Sequence, residues 1–149
     1  MKQKIKNALI SVSDKSELSK LLKVLKKFKI RIISSGGTYK SIKSLGYECL
    51  DLSKYTGFNE MLDGRVKTLH PKIHSGILFD RFNKKHLKEM KKKEFTSLDL
   101  IIVNFYPFQQ VVKNFNDSKK IIENIDIGGP TMVRAAAKNY KNVTVITNK

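Results

Sequence analysis

Arg65, Lys67, Thr68, His70, Lys72 and His74 crowd into one stretch of the chain, Gly57 to Gly76. Ammonium, guanidinium, hydroxyl and imidazole groups at that density could bind an anion, move protons or hold a metal. The stretch keeps neither a helical nor a strand period. A long mixture of this kind inside a small domain is either functional or disordered. Phe58, Met61, Leu62, Leu69, Ile73 and Ile77 argue against disorder, so an ordered site loop is expected. Metal binding fits poorly. Pro71 separates His70 from His74, no Glu occupies the zincin position, and Cys49 and His86 are remote in sequence. The Gly-x-Ser-x-Gly turn of a serine hydrolase is also missing.

Other chemistry-bearing groups sit at turns. Ser34-Ser35-Gly36-Gly37-Thr38 joins two glycines to hydroxyls ahead of a helix. Glycines let backbone N–H groups approach an anion, and a helix N-terminus adds positive partial charge. The string is neither a Walker A loop nor G-x-G-x-x-G, which weakens a nucleoside triphosphate or dinucleotide reading. With Lys15 arriving from Ser11-Val12-Ser13-Asp14-Lys15, the convergence of polar groups favours a phosphate cradle over an ordinary tight turn. Ile127-Gly128-Gly129-Pro130-Thr131 opens a second helix N-terminus, along which Thr131, Arg134 and Lys138 share a face. Arg134 and Lys138 could equally form an exposed basic face, Asp126 a simple helix cap, and Tyr106 a half-buried residue at a strand end.

These groups need a scaffold. Asn7 to Val12 is a nearly continuous apolar run, suited to a strand buried on both faces. Ser13 or Asp14 can cap the next helix, in which Leu18, Leu21, Leu22, Leu25 and Phe28 form one apolar stripe. Ile30 to Ile33 reads as a second strand. Thr38 to Leu45 reads as a helix stopped by Gly46, and Glu48 to Leu52 as a third strand. A lysine-rich helix is expected from about Lys84 to Lys93, and the strongest strand from Leu98 to Val103. Pro107 opens a helix to Phe115; others cover Ser118 to Asn124 and Pro130 to Asn139, before a last strand from Val143 to Ile146. Strands alternating with helices predict an α/β fold, a mostly parallel open sheet flanked by helices. Ligands of such sheets bind outside the carboxyl ends of the strands. Ser11–Lys15, Ser34–Thr38 and Asn104–Phe108 all fall there.

With 149 residues, 40% of them hydrophobic, the chain suits one folded domain. Its single cysteine, Cys49, lies in a short apolar run and reads as a small core residue; an intrachain disulfide is excluded. No apolar run approaches a membrane span, and the basic start Met-Lys-Gln-Lys-Ile-Lys lacks the features of a signal peptide, so a cytoplasmic location is the default. The formal net charge is +17, almost all of the excess being lysine. A base-reading surface would show more arginine and interleaved aromatics. Solvated helix faces are the better reading, and the positive field would draw in a phosphorylated metabolite.

Taken together, several motifs resemble a known family. They are Ser11-Val12-Ser13-Asp14-Lys15, Ser35-Gly36-Gly37-Thr38, Gly57-Phe58 with Glu60-Met61, Gly64-Arg65-Val66-Lys67-Thr68-Leu69-His70-Pro71, Asn104-Phe105-Tyr106-Pro107-Phe108, Ile125-Asp126-Ile127-Gly128-Gly129 and Arg134-Ala135-Ala136-Ala137-Lys138-Asn139. In order and spacing they resemble the IMP cyclohydrolase domain at the N-terminus of the bifunctional purine biosynthesis protein, over essentially the whole chain. The resemblance implies a methylglyoxal-synthase-like, three-layer α/β fold. It implies closure of the formylated aminoimidazole carboxamide ribotide (FAICAR) to inosine monophosphate (IMP) with loss of water, without metal, cofactor, nucleic acid or membrane. For the full-length protein it implies a homodimer. By resemblance, Ser11, Ser13, Lys15, Ser35, Gly36, Gly37 and Thr38 hold the phosphate and ribose end. Arg65, Lys67 and Thr68 lie along the substrate, Lys67 close to the reacting groups; Asn104 and Gly128 add contacts. Tyr106, Asp126 and Lys138 complete the reacting end, with Lys67, Tyr106, Asp126 and Lys138 as the catalytic set.

Two departures accompany the resemblance. Tyr140 stands where the family has histidine after Ala-Lys-Asn. The family's domain also continues past the position of Lys149, so a C-terminal truncation is expected, with the transformylase domain and its formyl-transfer activity absent. Two other classes compete: a regulatory domain of the same fold that binds a phosphorylated metabolite without turnover, and a basic nucleic-acid-binding module.

Overall fold

Five strands form one wholly parallel sheet in the computed structural model, which describes residues 4–148. Met1 to Gln3, from the basic start read above as no signal peptide, and Lys149 lie outside the described residues. In chain order the elements are β1 (Asn7–Val12), α1 (Leu18–Lys27), β2 (Arg31–Ser34), α2 (Gly36–Ser44), β3 (Leu50–Asp51), α3 (Leu52–Thr56), α4 (Pro71–Leu78), α5 (Lys84–Lys92), β4 (Leu100–Asn104), α6 (Phe108–Asn114), α7 (Ser118–Glu123), α8 (Gly128–Lys138) and β5 (Thr144–Ile146). The sheet order is β3-β2-β1-β4-β5. The chain therefore builds outward on one side of β1, then returns to add β4 and β5 on the other. None of the described helices is long and apolar enough to cross a membrane.

A parallel strand covered on both faces needs apolar side chains at successive positions, and β1 and β4 supply them. Ala8, Ile10, Leu100 and Ile102 point to one face, where Leu18, Leu22 and Leu25 of α1 and Ile42 of α2 cover them. Leu9, Ile101 and Val103 point to the other, against Leu52, Ile73, Ile77, Met132 and Ala136 from α3, α4 and α8. The small Ala135 and Ala136 are buried and let α8 approach the sheet, while Ala137 is exposed. Each large core side chain contributes roughly 1.5–3 kcal/mol on burial.

The opposite end of the sheet hangs on Asp99. Its carboxylate is 4% exposed, accepts from the Lys6 and Asn7 N–H groups at 2.7 and 2.8 Å, and pairs with Arg81 at 2.8 Å. One side chain thus closes the start of β1 and joins it to the segment after α4.

Several local expectations change. The Gly57–Gly76 stretch is a loop only to His70, because His70 Nδ1 accepts from Lys72 N–H at 3.1 Å and Pro71 supplies the first residue of α4. Ile73 and Ile77 are then core residues of a helix. The third strand shrinks to Leu50–Asp51, since the Asp51 carboxylate accepts from Ser53 N–H at 2.8 Å and starts α3. Asp14 accepts from Ser16 N–H in the turn before α1, and that helix begins without a side-chain cap. Phe28 falls at the C-cap of α1 and is exposed, so the stripe ends at Leu25. Pro130 is the third residue of α8, which starts two residues earlier than expected.

Removing one partner of a buried ion pair strands the other, at about 3–5 kcal/mol. Asp99→Ala should lower the unfolding free energy by about that amount in urea titrations. Cys49 is partly buried against the α1/α2 core, and burial pushes its thiol up to about 11. At pH 8 about one thiol in a thousand is then thiolate, so iodoacetamide should label Cys49 far more slowly in the folded chain than in urea.

Candidate active site

β1 and β4 end side by side, Val12 opposite Asn104, where the strand order reverses. The chain leaves β1 toward α1 on one face and leaves β4 toward α8 on the other, so a crevice must open between them. It is a cleft of about 520 Å³. Ser11, Ser13, Lys15, Ser35, Gly36, Gly37, Thr38, Arg65, Lys67, Thr68, Asn104, Tyr106, Asp126 and Gly128 all line it. Of the residues nominated by sequence, Lys138 alone is missing from the lining. It sits exposed on the last turn of α8, about 15 Å along the helix from Gly128 at ~1.5 Å per residue. Arg134, on the same helix, is exposed as well.

The anion-binding corner is built by α2. Its N-cap, Ser35, makes no side-chain cap bond, so no side chain of that cap takes up the N–H groups of the first turn. Two ammonium groups flank the turn. Lys67 Nζ lies 2.8 Å from where a Cβ on Gly36 would stand, and Lys15 Nζ lies 3.8 Å from the equivalent point on Gly37. Gly36 has φ +54°, the left-handed region that favours glycine. Lys67 therefore sits at the phosphate turn, held by Glu60 Oε2 at 2.5 Å, rather than toward the expected reacting end.

Some nominated residues shape the walls. Asn104 Oδ1 accepts from Ser13 N–H at 2.6 Å and Asp14 N–H at 3.1 Å, and its Nδ2 donates to the Asp14 carbonyl. Its amide thus stands in for a strand neighbour where β1 has ended, and holds the Ser11–Lys15 loop open. Thr38 is buried; its hydroxyl donates to the Val12 carbonyl at 2.9 Å and accepts from Val12 N–H at 3.2 Å. Asp126 Oδ1 accepts from Gly129 N–H at 2.8 Å, capping the start of α8 while lining the cleft. Tyr106 is 51% exposed at the mouth.

The far wall comes from the loop after α3. Met61 and Val66 form an antiparallel bridge around a tight reversal in which Leu62, Asp63 and Gly64 all have positive φ. The reversal presents Arg65, which Glu123 at the end of α7 holds through both carboxylate oxygens. Their hydrogen bond raises the Arg65 pKa and lowers that of Glu123. Thr68 is buried with its hydroxyl against Gly128. Behind it, burial pushes the His74 pKa down, opposed by a hydrogen bond with the Thr68 backbone that ties the imidazole to the loop. His70 caps α4 and packs on Phe58, so both histidines have structural work. Ile122, Ile125 and Ile127 form an apolar part of the wall suited to a flat heterocycle.

Glu123, Asp63 and Glu60 were missed by sequence reasoning. Glu60 falls within a motif of the resemblance but carried no role there, Asp63 and Glu123 fall in none, and acids run against the expectation for an anion cleft. A Cβ on Gly128 would overlap the Thr68 hydroxyl, whereas one on Gly37 meets only ordinary contacts. Gly128→Ala should therefore destabilise the fold by about 1–3 kcal/mol through overpacking. Gly37→Ala should leave the thermal midpoint unchanged or slightly raised, as scanning calorimetry can check.

Residues 17–131 match the MGS-like domain family. The bifunctional purine biosynthesis protein PurH of Acetivibrio thermocellus is 50% identical over 97% of this chain and 28% of that protein. PurH of Clostridium acetobutylicum is 52% identical over 97% of this chain and 29% of that protein. The chain thus spans under a third of the length of these relatives. A crystal structure of ForH superposes with a TM-score of 0.83 at 31% identity, covering 96% of this chain and 72% of that one. Sheet, cleft and these similarities agree: the chain belongs to the MGS-like domain family, and its likeness to the PurH proteins supports grouping it with them.

Proposed function

We propose that this chain is an IMP cyclohydrolase domain, closing FAICAR to inosine monophosphate with loss of water at the end of purine biosynthesis. The observation that carries the reading is convergence: every nominated residue except Lys138 lines one cleft at the switch point of the sheet. The reading suits a cytoplasmic enzyme and, for a full-length protein, a homodimer.

The carboxamide nitrogen of FAICAR is a weak nucleophile because its lone pair is delocalised. It adds to the formyl carbon, a C–N bond forms, and the formyl oxygen gains negative charge. The carboxamide nitrogen and the formamide nitrogen each lose one proton, the oxygen takes up both, and its bond to carbon breaks so that water leaves as the C=N bond to the formamide nitrogen forms. Both reacting groups belong to one molecule, so holding them in a near-attack geometry supplies much of the acceleration. The α2 turn with Lys15 and Lys67 would fix the phosphate, and the Ile122–Ile127 wall would receive the heterocycle. With Lys67 at the phosphate turn, the reacting end falls to Asp126, which would orient or deprotonate the carboxamide, and Tyr106, which would polarise the formyl group. Lys138 takes no part in this version of the site.

The separation of Lys138 from the cleft favours a second reading, a sensor that binds a phosphorylated metabolite without turnover. Incubation with FAICAR, followed by the ultraviolet change on purine formation, separates the two. Turnover is expected, and Lys67→Ala, by loosening the phosphate and with it the near-attack geometry, should slow it by about 100-fold with an unchanged circular dichroism spectrum. Full activity in that variant would remove Lys67 from the mechanism. IMP binding without turnover by the unaltered chain would leave the sensor.

A further inference from the structure

Lysine and arginine outnumber the acids by 30 to 13 in this chain, which carries a net charge of +17. The cleft departs from that balance. Its charged lining is Lys15, Arg65 and Lys67 against Asp63, Glu123 and Asp126, and Glu60 adds a further carboxylate against Lys67. Two of the three cations are held by acids from different elements, Arg65 by Glu123 of α7 and Lys67 by Glu60 of the preceding loop.

We propose that Glu60 and Glu123 are internal counter-ions of Lys67 and Arg65 that set the charge the cleft accepts, admitting a ligand with one phosphate group and disfavouring two or three. The proposal rests on the reading of the cleft as a nucleotide site. A phosphate monoester carries about −1.5 to −2 charges near neutral pH. The field of the whole chain attracts each additional phosphate more strongly. Inside the cleft the balance differs, because Arg65 and Lys67 each have a carboxylate beside them, while Lys15, whose Nζ donates to the Ser13 carbonyl, serves the first phosphate at the α2 turn. Glu60 and Glu123 are 56% and 55% exposed, so either can turn into solvent without burying its charge. A single phosphate can displace Glu60 from Lys67 at the α2 turn. Further phosphates would meet Glu60, Glu123 and Asp63 along the same wall. Two exposed surface ion pairs with no further duty would contribute little to stability and nothing to ligand choice.

Isothermal titration of the full chain with inosine mono-, di- and triphosphate tests this, with Glu60→Gln and Glu123→Gln alongside. The unaltered chain should bind the monophosphate and gain no affinity as phosphates are added. In each variant the triphosphate-to-monophosphate affinity ratio should rise by about fivefold, the upper range for an exposed pair. The rise should shrink as salt is raised toward ~1 M. Monophosphate binding with a ratio unchanged in both variants would overturn the counter-ion role and leave the nucleotide cleft standing. Triphosphate preference in the unaltered chain would overturn it too. Failure of all three nucleotides to bind any form would remove the cleft reading and the counter-ion role together.

Discussion

Parallel pairing of β1 with β4, in register from Ala8 opposite Leu100 to Val12 opposite Asn104, is the constraint from which the cleft follows. Both strands are buried on both faces and end together, yet their chains must leave in different directions. β1 feeds α1 and the layer with α2, whereas β4 leads through α6 and α7 to α8 on the opposite face. No helix can fill the gap where these paths part, so backbone ends that would lie in the core of a closed layer stay accessible there. Asp99 holds the opposite ends of the same pair, bonding the N–H groups of Lys6 and Asn7. The carboxyl ends are held by side chains in place of a ladder: Asn104 across to Ser13 and Asp14, and Thr38 across to Val12.

Electrostatics then follow from local backbone. The α2 turn can face an anion because Lys67 and Lys15 arrive beside Gly36 and Gly37, and because Ser35 leaves the first turn without a side-chain cap. Lys67 reaches that turn because Leu62, Asp63 and Gly64 reverse the chain in the left-handed region. Such conformations cost non-glycine residues about 1–2 kcal/mol each, and the surrounding bridge and the Arg65–Glu123 and Lys67–Glu60 pairs hold them in place. The result is a cleft of nearly balanced charge inside a strongly basic molecule. The lysines of α5 lie outside its lining.

Much of this was legible in the sequence. Doubly buried strands read as unbroken apolar runs, and β1 and β4 did so from composition alone. The switch-point loops were legible too, because glycine and hydroxyl residues cluster where strands end. What failed was local competition between side chain and backbone. Asp51 and His70 each start a helix by accepting an N–H bond, and neither α3 nor α4 shows a periodic stripe long enough to announce itself. The acids of the cleft were illegible for a different reason. Glu60 and Glu123 are far apart in sequence, and only the folded loop and α7 bring each to a cation. Lys138 was drawn into the site by its motif, while the length of α8 carries it away in the single chain.

The central claim is that the crevice between β1 and β4 receives a nucleoside monophosphate, phosphate first, at the α2 turn. Amide chemical-shift mapping by nuclear magnetic resonance during titration with inosine monophosphate tests it most directly. The account predicts saturable shifts concentrated at Gly36, Gly37 and Thr38, at Ser13 and Lys15, and along Arg65 to Thr68 and Gly128–Gly129. Shifts confined to the lysine-rich surface of α5, or scattered without saturation, would contradict it.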